Sequence, residues 1–341
     1  MGARSCSRAW CCSRATRSAP PGRRSGRLSC ARCRRPSTGC NPSSTPPITG
    51  DIMKHIRLAC VAAGLVAAAS SVSAIGADWN APQEPFALFG NSYYVGPHGV
   101  ASVLITSNQG HILIDGGSDK SPPQIAARIR QLGFKPEDIR FILVSHEHID
   151  HAGGVAELQR LSNAEVLAGA AAVPVLHSGE AGRNDPQYGG LPKMAPVARV
   201  RAVRDGEVVK LGPLAVTMHA TPGHTQGGAS WTWQSNEGGR TANMVYADSL
   251  TAFGSGGFRY SGDARYPSAR ADVERSIAKV AALPCDILVS AHPEVSELWT
   301  RYERRAAQGN AAFIDAGACK AYAVKARVKL QEQLARETAK P

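Results

Sequence analysis

Three imidazoles and two carboxylates crowd into His146-Glu147-His148-Ile149-Asp150-His151. Two further histidines stand in similar settings, in Thr221-Pro222-Gly223-His224-Thr225 and in Ser290-Ala291-His292-Pro293. Imidazole nitrogen and carboxylate oxygen suit Zn²⁺, which takes both at about 2.0–2.2 Å. The candidate ligands are therefore His146, His148, Asp150, His151, His224 and His292. Six are too many for one tetrahedral ion. Shared between two Zn²⁺ ions they give three each, and each ion keeps a position open for water, as catalytic rather than structural sites do. Two ions roughly 3.5–4 Å apart can share a hydroxide and clamp both ends of a hydrolytic displacement, and zinc lowers the pKa of bound water to about 7.

The plain alternative is scattered structural histidines. The isolated His98, His111, His177 and His219 read that way, although His219 stands five residues before His224. Asp248, in Tyr246-Ala247-Asp248-Ser249, allows two roles. It bridges the metals, or it orients a ligand imidazole from behind.

Ligands need a frame. The hexapeptide directly follows Phe141-Ile142-Leu143-Val144, a short, continuous apolar run that reads as a buried strand. Ligands at the carboxyl end of a strand are where open α/β sheets place chemistry. Residues 214–219 and 287–289 read as strands preceding His224 and His292, so three strand ends aim donors at one cleft. Residues 102–105 and 111–115 read as a hairpin around Ser107-Asn108-Gln109-Gly110. Other strands are expected over 166–168, 207–211, 230–233 and 244–246. Helices are expected over 124–132, behind Pro122-Pro123, and over 155–161, 272–283 and 320–337. Residues 178–196 and 252–267 carry Gly, Pro and Asn without period and read as long loops, which in compact domains are often functional. Two β-then-α halves packed face to face fit this order.

Charge separates the chain into parts. Ten Arg against one Asp give residues 1–52 a charge of +9, Lys54 and Arg57 add two, and the remainder carries the last unit of the total +12. A nearly neutral body gives nucleic-acid binding no electrostatic support. Residues 1–52 match no zinc-finger spacing and read as a disordered upstream extension that is not native to the protein. Met53-Lys54-His55-Ile56-Arg57 is a short basic start, followed by a small apolar stretch and Val72-Ser73-Ala74, a small-x-small cleavage site. Residues 53–74 thus read as a secretory signal peptide, with Met53 the favoured start and 75–341 one domain. Export implies a periplasmic protein with no membrane contact after cleavage. Only Cys285 and Cys319 remain in that domain. A pair in an oxidising compartment points to one disulfide, with two unrelated buried thiols as the alternative.

The set His146-x-His148-x-Asp150-His151, Gly223-His224-Thr225 and His292 resembles the metallo-β-lactamase fold superfamily, over roughly residues 85–300. That resemblance implies a four-layer αβ/βα sandwich of the α/β class, with a dizinc cleft at one edge. The first two β-lactamase subclasses use a Cys ligand at the position that Ser249 occupies in this chain, and His151 is the residue that replaces it in the third, so the chain is similar to subclass B3. The resemblance gives His146, His148 and His224 to the first zinc, and Asp150, His151 and His292 to the second. It places Ser249 and Thr251 against the substrate carboxylate and Cys285 and Cys319 in the subclass disulfide. It implies hydrolysis of the β-lactam amide of penicillins, cephalosporins and carbapenems by a hydroxide oriented by Asp150, hence antibiotic resistance. Partners are then a small-molecule β-lactam and no nucleic acid, for a monomer. No G-x-S-x-G context offers a competing serine nucleophile.

Two rivals follow from the same residues. One is another dizinc hydrolase of the fold, a lactonase or hydroxyacyl-glutathione thioesterase, which Asp248 keeps open and the export signal and Cys pair oppose. The other is an exported zinc-binding protein with no activity, which the open coordination positions oppose.

Overall fold

Along β4 (Gly110–Ile114), Ile112 and Ile114 enter one apolar core while Leu113 enters another, and all three are fully buried. Side chains alternate across a strand, so a continuous apolar run buries both faces of its sheet. The pattern recurs in β11 (Arg240–Ala247), where Met244 and Tyr246 face one core and Val245 and Ala247 the other. Two sheets of this kind pack face to face, with helices on their outer sides. The computed structural model describes residues 79–339, and the expected extension over 1–52 and signal peptide over 53–74 lie outside the described residues.

The first sheet runs in chain order, β1-β2-β3-β4-β5-β6-β7. Its members are β1 (Phe86–Phe89), β2 (Ser92–Tyr94), β3 (Val103–Ser107), β4, β5 (Ile139–Leu143), β6 (Glu165–Gly169) and β7 (Val200–Val203). Strands β1 to β4 form an antiparallel meander, and β4 to β7 are parallel. The second sheet has the order β12-β11-β10-β9-β8. It comprises β8 (Val208–Leu211), β9 (Leu214–Ala220), β10 (Ala229–Glu237), β11 and β12 (Ile287–Ser290), antiparallel except for the β11–β12 pair.

Between the sheets, Trp231, Phe86, Tyr94, Ile112, Leu143 and Val289 form the central core. Helices α1 (Pro122–Gln131) and α3 (Val155–Ser162) cover the first sheet through Ile125, Ile129 and Leu158. Between them in sequence, α2 (Ile149–Ala152) is a single turn that carries the end of the hexapeptide. Helix α4 (Ala172–Ser178) follows β6. Helices α5 (Ala269–Ala282) and α8 (Ala318–Thr338) cover the second sheet through Val273, Ile277, Tyr322 and Leu330. Short helices α6 (Leu298–Glu303) and α7 (Arg305–Gln308) lie between β12 and α8. The layers are α, β, β, α, the sandwich expected from the motif set.

The segments read as loops, 178–196 and 252–267, carry no strand, and no helix beyond the end of α4 at Ser178. The strand before the hexapeptide runs 139–143 rather than 141–144: it takes in exposed Arg140 and releases Val144 into the ligand loop. Sequence reading missed β1, β2, β7, α4, α6 and α7. Each has seven residues or fewer, too short to show a period.

Candidate metal centre

The hexapeptide hangs on Asp115, the residue after β4. Its carboxylate accepts from the Ser145 backbone N–H (2.7 Å), the Ser145 Oγ–H (2.6 Å) and the Tyr246 hydroxyl (2.7 Å). Asp115 sits at φ 59°, in the left-handed region, where Asp is one of the tolerated side chains. One carboxylate thus joins β4, the ligand loop and β11. Two further bonds close the seam between the sheets beside it. Ala229 N–H donates to Ser145 O (2.7 Å) and Ala101 N–H to Ala291 O (2.8 Å).

All six candidate ligands meet at this seam. His146, His148 and His224 each offer a ligand atom within 4.8 Å of the others, and so do His146, Asp150 and His151. His292 closes the second group. Its Nε2 lies 3.3 Å from Asp150 Oδ2 and 3.2 Å from His151 Nε2, while His151 Nε2 lies 3.0 Å from the same carboxylate oxygen. His146 stands between the two groups. All six are buried except His292, which is partly exposed.

Each imidazole has a partner behind it. His146 Nδ1 lies 2.8 Å from Asp248 Oδ1. His148 Nε2 lies 3.0 Å from Asp185 Oδ2. His224 Nδ1–H donates to Thr251 O (2.8 Å) and His292 Nδ1–H to Gly99 O (3.2 Å). His151 Nδ1 faces Asp115 Oδ2 at 3.5 Å, an ion-pair contact and not a hydrogen bond. Asp248 therefore stands behind a ring, with its backbone N–H donated to Ser230 Oγ and its carbonyl accepting from Tyr322.

Glu147, between the first two histidines, points away from them. Its carboxylate accepts from Thr225 Oγ1–H (2.8 Å) and from Gly227 N–H (3.2 Å), tying the His224 loop to the hexapeptide. Gly223 lets that loop pass helix α5. Its φ is +133°, and a Cβ there would lie 2.5 Å from Val273 Cγ2.

Burial pushes His146 well down, and His151 and His224 beside it act in the same direction. Burial likewise lowers His224 to about 3, helped by His148. Both rings are neutral at neutral pH, as metal ligation requires. Burial alone would raise Asp150, but His151 and His292 outweigh it and hold the carboxyl well below its usual range. Burial would lower His151, yet Asp150 and Asp115 together raise it to about 10. Burial raises the Asp248 carboxyl well above its ordinary value.

A cation fits this donor set. His146 Nε2, the ring nitrogen opposite Asp248, is buried and has no hydrogen-bond partner. An orphaned buried nitrogen is costly unless something fills its lone pair. Five imidazoles with one carboxylate among them match zinc chemistry rather than the all-oxygen sites of calcium or magnesium.

Of the remaining residues singled out, Ser249 is buried beside Asp248 and Thr251 is exposed, its carbonyl being the atom that holds His224. A disulfide joins Cys285 to Cys319. The isolated histidines lie elsewhere. His98 stacks on Trp299, His111 packs edge-on to Phe134, His177 bonds Val197 O and His219 bonds Thr232 Oγ1. Sequence reading missed Asp115, Glu147 and Asp185. Asp115, at a strand end ahead of Gly116-Gly117, was the one with a local signal.

Residues 95–292 match the family described as the metallo-beta-lactamase superfamily. Among solved structures, the chain is 64% identical to MEM-A1, a subclass B3 metallo-beta-lactamase from a soil metagenome library. That likeness covers 77% of this chain and 100% of that one, with a TM-score of 0.77. Rm3 metallo-beta-lactamase is 55% identical over 77% of this chain and 97% of its own, with a TM-score of 0.76. Among curated relatives, a hydroxyacylglutathione hydrolase of Anaeromyxobacter dehalogenans is 32% identical over 160 residues, 47% of this chain. The chain spans about half the length of that relative, 49%.

Proposed function

Because the chain belongs to the metallo-beta-lactamase superfamily, with subclass B3 enzymes among its near relatives, we propose that it is a subclass B3 hydrolase that opens the β-lactam amide bond with two zinc ions. The observation that carries this reading is the convergence of six donors, from both sheets, on one seam. His146, His148 and His224 hold the first ion, and Asp150, His151 and His292 the second. Bound zinc supplies Lewis acidity and a water acidic enough to ionise near neutral pH.

The chain's own residues supply the rest. His146 keeps its proton on Nδ1, toward Asp248, which leaves Nε2 free to ligate. Asp150, held ionised, is an acceptor that orients the attacking water. Ser249 and Thr251 contact the substrate carboxylate. The loops 178–196 and 252–267 wall the cleft and limit which lactams enter. The substrate is a small molecule and the working unit a monomer. Residues 53–74 direct export to the periplasm, where the activity confers resistance. Among the described residues no helix is long and apolar enough to cross a membrane.

The runner-up is a lactonase or hydroxyacylglutathione-type thioesterase, supported by the curated relatives over half their length. Asp248 speaks against it: that reading uses an aspartate to bridge the metals, whereas Asp248 Oδ1 lies 2.8 Å from His146 Nδ1, behind the ring.

The test is turnover by enzyme recovered from a host that exports it. A carbapenem, a cephalosporin, a lactone and a hydroxyacylglutathione thioester are offered, each with and without a chelator. Chelator-sensitive lactam turnover, abolished in His224→Ala, is expected. Good thioester or lactone turnover without lactam turnover overturns the proposal.

A further inference from the structure

Five imidazoles converge on the seam, and four are braced by the sheet framework. His146 leans on Asp248, just past β11, and His151 faces Asp115, just past β4, in an ion-pair contact. His224 leans on the Thr251 carbonyl beyond β11, and His292 on the Gly99 carbonyl ahead of β3. His148 is the exception. Its brace is Asp185, in the middle of the long loop 178–196, which has no regular structure of its own there.

The contact is specific. His148 Nε2 lies 3.0 Å from Asp185 Oδ2 and 3.3 Å from Oδ1, and both residues are buried. With Nε2 on the carboxylate, Nδ1 is the nitrogen turned toward the other ligands, and its one partner among the described residues is the Gln187 side-chain amide of the same loop, a long contact at 3.4 Å that a metal ion would displace. His148 thus presents the opposite ring nitrogen from His146, His224 and His292, whose Nδ1 atoms are the braced ones. A carboxylate behind a ligating imidazole fixes both its tautomer and its orientation.

Asp185 also organises the loop around itself. Its Oδ1 accepts from Gln187 N–H (2.7 Å), its carbonyl from Tyr188 N–H (3.0 Å), and its own N–H donates to Gly182 O (2.9 Å). The next residue passes the connection on, since Pro186 O accepts from Ser255 N–H in the second long loop (2.9 Å). Few other bonds hold this stretch. Met194 N–H to Gly179 O closes its base, Gly190 N–H donates to Gln187 O within it, and its side-chain ties are the exposed Asn184–Gln226 and Lys193–Glu180 pairs and the long Gln187–His148 contact. Segments with few buried contacts open at low free energy, so a single buried tie has a large share in their order.

We propose that Asp185 is the positioning residue that turns His148 toward the first ion, and that through it the fold of loop 178–196 and metal occupancy are coupled. The coupling is reciprocal by linkage: whatever the seated loop adds to zinc affinity, bound zinc returns to the loop. A loop that walls the cleft is then held more tightly on the metal-loaded enzyme. The inference rests on the metal-centre reading but not on lactam turnover, because its readouts are zinc affinity and loop cleavage.

The test uses the full mature enzyme and four forms: wild type, Asp185→Ala, Asp185→Asn and Lys193→Ala. Zinc affinity is measured by competition with a chromophoric chelator. Asp185→Ala is expected to weaken one of two zinc equivalents by about 10–100-fold. Asp185→Asn recovers most of the loss, because its Oδ1 still accepts from Nε2–H. Lys193→Ala, which cuts a loop contact remote from the ring, stays at the wild-type value. Limited proteolysis supplies the second readout. Stripping zinc from the wild type speeds cleavage within 178–196, while Asp185→Ala is cut at the fast rate with or without zinc. Circular dichroism spectra matching the wild type exclude misfolding, and the Asn variant keeps the test open if the Ala variant fails to fold. Wild-type zinc affinity in Asp185→Ala overturns the proposal. Equal losses in the Ala and Asn variants overturn the positioning role, and zinc-independent cleavage of the wild type overturns the coupling. An enzyme that binds zinc as described yet opens no lactam leaves the inference standing and removes only the proposed substrate.

Discussion

The disulfide between Cys285 and Cys319 closes a loop of 34 residues, and that loop contains β12 and His292. Replacing both cysteines with alanine removes the constraint without leaving a hydroxyl at buried Cys319. Loop-closure entropy for a ring of this size is worth about 4 kcal/mol at 25 °C. With a urea slope of about 3 kcal/mol/M, the unfolding midpoint falls by a little over 1 M. The melting temperature drops by roughly 8–16 °C for a chain of this length. Activity at 25 °C is expected to survive, because β12 stays paired to β11 over Ile287 to Ser290 and His292 keeps its bond to Gly99 O. The assay is urea denaturation of oxidised wild type, reduced wild type and Cys285→Ala/Cys319→Ala. The two disulfide-free forms should coincide. A midpoint shift below about 0.3 M at unchanged slope, or loss of activity at 25 °C, would refute the reasoning that the bond acts on the unfolded chain rather than on the site.

Glu147→Ala leaves the Thr225 hydroxyl and Gly227 amide unpaired in a buried place, at about 1–3 kcal/mol each. Urea denaturation should show that loss, and chelator competition should show weaker zinc binding through His224, with Glu147→Gln intermediate in both. Gly223→Ala drives a Cβ to 2.5 Å from Val273 Cγ2 at a φ of +133°, so the His224 loop must move. At least a tenfold loss of zinc affinity, with intact far-ultraviolet dichroism, is the expected result. In the metal-free chain His151 is raised to about 10, above its ordinary value near 6.5. Its proton therefore stabilises the metal-free fold fully below about pH 6.5, and that contribution is lost as pH rises through about 10. Melting curves of stripped protein at pH 7 and pH 10 check the sign. Zinc uptake at pH 8 should also expel this proton, seen as a calorimetric heat that differs between buffers of different ionisation enthalpy.

The density of donors in residues 146–151 made the metal centre legible in the amino-acid sequence. The runs before His224 and His292 placed their strands for the same reason: each is long or apolar enough to show its period. The braces were not legible. Asp185 reaches His148 across 37 residues and Asp248 reaches His146 across 102. Such pairings are set by which strand ends adjoin, and no local pattern encodes that. Glu147 hid in plain view, since a charge between two ligands reads as solvated until its two buried donors are seen. The short strands β1 and β2 were missed because three or four residues cannot show alternation, and their burial comes from the second sheet lying over them. Asp115 was half-legible: a strand-end acid ahead of two glycines marks a turn, but not the three bonds its carboxylate accepts.

The seam has a consequence for the order in which the molecule comes together. His151 and His292 touch across 141 residues of chain, and each belongs to a different sheet's end. A half-folded chain offers a cation little more than the hexapeptide. The three apolar cores must therefore form first, on hydrophobic burial alone. In small zinc domains the ion is the nucleus of folding and its binding energy is folding energy. In this protein the ion arrives at a finished frame, with only loop 178–196 left to tighten around it. Withholding zinc during synthesis should cost the cell activity but not folded protein, and late addition should restore it without refolding.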